Sequence, residues 1–145
     1  MEASRVAEEA AQPGQASSDS EPMDLAKAAR AVLLAWAIPG GGHFYLGKPR
    51  RALAFCAVVF AALAIGCSLD GNIHHIVADR PLSILATLGS MGMGLAYFVL
   101  RYLVGYAGDI VASGFEYGNA FILTAGLMNL LLTLDVWDIA AGRKE

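Results

Sequence analysis

Ala52–Leu69, Pro81–Leu100 and Tyr117–Leu134 are runs of 18, 20 and 18 residues without one Asp, Glu, Lys or Arg. A hydrocarbon core about 30 Å thick is crossed by roughly 17–25 helical residues rising about 1.5 Å each, so every run has the length of a membrane span. A helix buried in a soluble core can also be uncharged throughout. Three of them in 145 residues leave too little remaining chain to cover them. The runs therefore predict an all-α integral membrane protein.

A fourth apolar stretch, Ala31–Gly47 (AVLLAWAIPGGGHFYLG), has spanning length but contains Pro39, Gly40, Gly41, Gly42 and His43. Pro39 removes a backbone hydrogen bond, and the glycines allow non-helical dihedrals. In hydrocarbon a broken backbone survives only where protein or water satisfies it. The segment is thus either a kinked first span or a half-helix that turns back, with Tyr45 and Lys48 at the headgroup boundary. The expected fold is a bundle of four helices over about 25–46, 50–69, 80–104 and 117–141, or alternatively three helices plus one re-entrant segment. Asp79 ahead of Pro81 suits a helix start, and Gly142 with Arg143 and Lys144 suits a helix end.

Charge is segregated along the chain. Residues 1–24 hold six acids and one base (EASRVAEEAAQPGQASSDSEP and its flanks), whereas the remainder holds nine bases and seven acids. The tail has no aromatic residue and too little apolar bulk to offset the entropy of ordering, so a disordered acidic tail over 1–24 is expected ahead of a transmembrane domain over 25–145. It lacks the positive region and apolar core of a signal peptide. No clustered basic face suggests nucleic acid. Cys56 and Cys67 lie 11 residues apart in one run, about 16 Å along a helix, which is too far to bridge.

Orientation follows from Lys and Arg. If the first element spans, six of these residues (Arg5, Lys27, Arg30, Arg80, Arg143, Lys144) share the N-terminal side, against four. If it turns back, seven (Arg5, Lys27, Arg30, Lys48, Arg50, Arg51, Arg101) oppose three. Either count puts the N-terminus in the cytoplasm of a cell membrane, with the C-terminus cytoplasmic in the first case and external in the second.

The string AWAIPGGGHFYLGKPRRAL resembles the first helix and turn of the TM-two transmembrane domain, a helical hairpin. That hairpin carries an aspartate in its second helix, and Ala52–Leu69 has none. With the ending NAFILTAGLMNLLLTLDVWDIAAGRKE, the region Leu25–Lys144 more closely resembles a family of small bacterial multi-pass membrane proteins of unknown function. The resemblance implies architecture and a prokaryotic membrane, and no activity.

Among polar groups, Asp135 and Asp138 stand at spacing i, i+3 on one helix face near its C-terminus, where carboxylates oppose the helix dipole and call for a partner. Lys27 and Arg30 are the expected partners if the first element spans, and Arg80 if it turns back. His43 follows the glycine break and either hydrogen-bonds freed carbonyls or builds a ligand site. Adjacent His74 and His75 point apart and lack the spaced companions of a metal site. The stretch Gly105–Asp109 (GYAGD) resembles a motif of intramembrane aspartyl proteases, but Asp109 is expected outside a span. Asn129 and Thr124, and Gly89, Ser90, Gly92 and Gly94, read as helix-packing residues. These features predict no enzyme, no cofactor and no metal. They predict a structural or accessory component whose partner is the lipid bilayer, alone, as a homo-oligomer or in a membrane complex. The alternative is a small transporter or channel component using the broken helix and the terminal aspartates.

Overall fold

The computed structural model describes residues 24–76 and 81–144. The tail predicted over 1–24, except Asp24, lies outside them, as do Asp79, Arg80 and Glu145. Every regular element among the described residues is helical: α1 (Leu25–Ala37), α2 (Gly41–Tyr45), α3 (Pro49–Ser68), α4 (Pro81–Met91), α5 (Leu95–Phe98) and α6 (Phe115–Ala140). A π-helical turn, Val99–Leu103, continues α5.

Local chemistry sets the boundaries. The Asp24 carboxylate accepts from the Ala26 and Lys27 amides at 3.0 and 3.2 Å and starts α1. Ile38 precedes Pro39, is pushed to extended dihedrals (φ −131°, ψ 118°), and ends it. Pro49 opens α3 at a position whose amide would have no helical partner. After α6 the Arg143 amide bonds the Asp138 carbonyl at 2.9 Å across Gly142, which reverses the chain.

Two helices, α3 and α6, are long and apolar enough to cross a membrane; α4 and the α5 segment pass that test only as a pair bent by 113°. At 20 residues α3 is about 30 Å long, the thickness of the hydrocarbon layer. It runs antiparallel to α6, with Gly66 against Gly118 and Ile122, and with Val59 and Leu63 in one cluster with Ile122 and Ala125.

The first and third predicted helices are each broken, so four continuous helices are not what folds. Helix α1 lays Ala31 and Ala35 against Val136 of α6 and reaches only Asn129, about 20 Å from its start. There Gly40, at φ +82° and hard against the Ala52 carbonyl, turns the chain. Helix α2 then doubles back beside α1, with Gly41 next to the Leu34 carbonyl and Gly42 next to that of Ala31. Helix α4 comes in from the opposite end, with Gly89 and Gly92 pressed on Gly126 of α6. At Gly94 its chain touches the Trp36 and Ala37 carbonyls, then α5 carries it back out. The return is tied to α3: the Tyr106 hydroxyl donates to the Cys67 carbonyl at 3.0 Å, and the Asp109 amide to that of Asp70 at 3.0 Å. Burial pushes the Tyr106 phenol up to about 12, so this donor keeps its proton at physiological pH.

Two hairpins therefore enter from opposite ends and meet tip to tip beside the middle of α6. The starts of α1 and α3 and the finish of α6 share one end. Of the eight described Lys and Arg residues, seven (Lys27, Arg30, Lys48, Arg50, Arg51, Arg143, Lys144) sit at that end, and Arg101 lies on the returning α5 segment.

Candidate functional site

Two polar clusters sit where helices are broken. The first lies at the basic end. Helix α2 carries His43 inward, fully buried, with its ring edge-to-face on Phe55 of α3 at 4.9 Å. His43 Nε2 lies 3.0 Å from Asp135 Oδ2, a contact in which the imidazole N–H donates to the carboxylate. The reversal after Gly142 brings Lys144 back over the last turns of α6, where Nζ donates to Asp135 Oδ1 at 2.7 Å. One carboxylate thus bridges a buried imidazole and an ammonium that is 56 % exposed. The hydrogen bond to Asp135 raises the Lys144 pKa and holds it charged. Asp138 faces Arg143, at 3.5 Å and largely in solvent.

These partners correct the expectation of Lys27 and Arg30 as counter-ions; Arg80, expected in the re-entrant case, lies outside the described residues. Both carboxylates are answered by the basic residues directly after their own helix, because the turn at Gly142 folds them back. His43 adds the long-range partner. The sequence reading singled out His43 and Asp135 for separate reasons; the fold joins them. Pro39, Gly40, Gly41 and Gly42 form the turn that delivers His43.

The second cluster is at the meeting of the hairpins. Asn129 of α6 is fully buried, and its Nδ2 donates to the Trp36 carbonyl at 3.0 Å and to the Gly92 carbonyl at 2.9 Å. One amide thereby holds the last turn of α1 and the tip of α4. Asn129 Oδ1 and His43 Nδ1 are buried side-chain atoms without a hydrogen-bond partner among the described residues. Read in sequence as a packing residue, Asn129 does link helices. A lone amide in the middle of an uncharged run was the available signal. Gly89, Ser90, Gly92 and Gly94 are buried as packing residues should be, whereas Thr124 is exposed on the outer face of α6.

Near the far end, His74 lies under the second hairpin. Its carbonyl accepts from the Tyr97 hydroxyl at 3.1 Å, and its ring approaches Ser90 Oγ at 3.5 Å. Burial lowers its pKa, and neighbouring His75 adds to the effect. Among the described residues no three His, Cys, Asp or Glu side chains converge as metal ligands would. Asp109 shapes a turn, its carboxylate accepting from the Val111 amide. Cys56 and Cys67 are free thiols.

No curated protein and no solved structure matches the chain. A family model described as a family of unknown function, DUF6677, matches residues 30–145. That match, which spans the broken first segment through the last helix, carries no support for the TM-two hairpin suggested by the opening motif. By the extent of the match the chain belongs to DUF6677, a family of unknown function.

Proposed function

We propose that this protein is a multi-pass, non-enzymatic component of a bacterial cell membrane, a structural or accessory element with two crossing helices (α3, α6) and two re-entrant hairpins. The observation that carries this reading is the Asn129 amide, which ties both hairpin tips to α6 in the middle of the molecule. Small residues and shared hydrogen bonds at that point make a closed joint. Seven basic residues at the end that also holds both described chain ends support a cytoplasmic location for that end, by the positive-inside rule. Its partners are lipids and, through its apolar outer faces, a second copy or a membrane complex.

Asn129→Leu tests the reading. It leaves two buried carbonyls without a donor and should lower stability by about 1–3 kcal/mol, measured by thermal unfolding in detergent. Unchanged stability would sink the joint as a structural element.

A second reading, a small cation transporter or channel component, is favoured by one observation. The C-terminal ends of α1 and α4 converge with their carbonyls on a buried Asn129 whose own oxygen has no partner among the described residues. Such acceptor-rich breaks are how transporters hold ions. Proteoliposomes separate the two: sodium or potassium flux abolished by Asn129→Leu supports transport, and absence of flux from well-folded protein supports the structural role.

A further inference from the structure

A groove of about 570 Å³ opens between the first hairpin and α3. Leu34 and Ile38 of the hairpin's inward limb, Phe44 and Tyr45 of its return, and Leu53 and Cys56 of α3 form its walls. Ile38, Phe44 and Leu53 are substantially exposed, Leu53 at 74 %. The groove lies where the first hairpin packs beside the first two turns of α3. It begins at Pro49, the first residue of α3, and reaches Cys56, seven residues or about 10 Å further in. It therefore descends from headgroup level into the acyl layer of the leaflet on the basic side.

Its rim is cationic. Lys48 and Arg50 flank Pro49 in the chain. Lys48 is the cap residue just before the helix, and at about 100° per residue Arg50 leaves the helix beside the face bearing Pro49, Leu53 and Cys56. Both have stems long enough to carry their charges to the headgroups. At the same spacing Arg51 leaves the helix on the side away from that face. Among the described residues no carboxylate lines the groove. An apolar slot with two cations at its mouth is complementary to one molecule: a phospholipid with an anionic headgroup.

The geometry points to a site for one anionic phospholipid, an acyl chain lying in the groove and its phosphate held by Lys48 and Arg50. This rests on the chain lying in a bilayer, but not on which end faces the cytoplasm nor on the role of Asn129. A bound lipid fills the groove and fastens α2 to α3, next to the turn that delivers His43. Tyr45, at the headgroup level, is placed to hydrogen-bond the phosphate or glycerol region.

The test is native mass spectrometry of the full chain in detergent with dioleoyl phosphatidylglycerol or dioleoyl phosphatidylcholine, alongside thermal melts. Wild type should retain one phosphatidylglycerol, with a preference of about tenfold or more over phosphatidylcholine for two cations near a lipid phosphate, and should melt higher in its presence. Leu53→Trp, which fills the slot from an exposed position, should lose retained lipid of either kind. Lys48→Gln with Arg50→Gln should keep lipid binding but lose the headgroup preference. Equal retention of both lipids by wild type overturns the site, as does phosphatidylglycerol retention that survives Leu53→Trp. A lipid-free dimer dissociated by Leu53→Trp overturns it too, by making the groove an interface between copies. Flotation with vesicles reports membrane association separately, so failure of the site is distinguishable from failure of the membrane reading.

Discussion

Asp135 and Asp138 sit three residues apart on one helix, and their surroundings differ enough to separate them experimentally. Asp135 is 25 % exposed and answers two partners from different parts of the chain, whereas Asp138 has one solvated partner next door. Exposed pairs contribute about 0–1 kcal/mol, and partner loss at a buried polar group costs about 1–3 kcal/mol. Asp135→Asn should therefore destabilise by about 1–2 kcal/mol in chemical denaturation from detergent micelles. Asp138→Asn should stay within about 0.5 kcal/mol of wild type. Equal effects would mean that the His43 contact contributes nothing. His74 supplies the pH dependence. Its pKa falls on folding from 6.5, so the folded state takes up its proton less readily than the unfolded one. That contribution to stability is complete above pH 6.5 and is lost as pH falls below it. Melting temperature should drop between pH 7.5 and 5.5, and His74→Gln should flatten this part of the profile.

At the scale of elements, the breaks in the first and third runs have opposite legibility. Pro39 and three glycines announce the first, because proline cannot continue the hydrogen-bond ladder and Ile38 before it is forced extended. Nothing as loud marks the second, where Gly92 and Gly94 read as packing residues and a continuous helix over 80–104 is expected. The chain bends there because Gly94, at φ +65°, lies on the Trp36 and Ala37 carbonyls and leaves no volume for a side chain. Gly94→Ala should accordingly destabilise by more than about 3 kcal/mol or prevent accumulation, since it adds overlap to a left-handed conformation. Gly47, at φ +76° with open space around it, is the control: Gly47→Ala should lose only about 1–2 kcal/mol. Comparable losses in thermal melts would show that the tips do not press on each other.

For the whole molecule the two hairpins change what a topology experiment must ask. A cytoplasmic C-terminus is expected of four crossing helices and equally of two crossing helices with two re-entrant hairpins. The loops discriminate. In the hairpin arrangement residue 50 shares the side of both ends, and residue 76 lies opposite; four crossings exchange those sides. In a background with Cys56 and Cys67 changed to alanine, Arg50→Cys should be shielded from an impermeant thiol reagent in intact cells, and the exposed Ile76→Cys should react. The reverse pattern would restore four spans.

The sequence alone determined the helical class and the presence of segments apolar enough to cross a membrane. Uncharged runs of spanning length cannot be hidden in a soluble chain of this size, and helix is the form in which a single segment satisfies its own backbone in hydrocarbon. It also determined the local punctuation at Pro39, Pro81 and Gly142, because caps and prolines act through adjacent backbone groups. His43, Asp135 and Asp138 stood out as polar residues in apolar surroundings, and two of the three meet. What only tertiary structure decided was pairing across distance. His43 meets Asp135, 92 positions away, Asn129 clasps two tips, and the third run turns back. Those outcomes depend on which helix lies behind a given residue, and the packing of glycines against carbonyls from other segments settles that question.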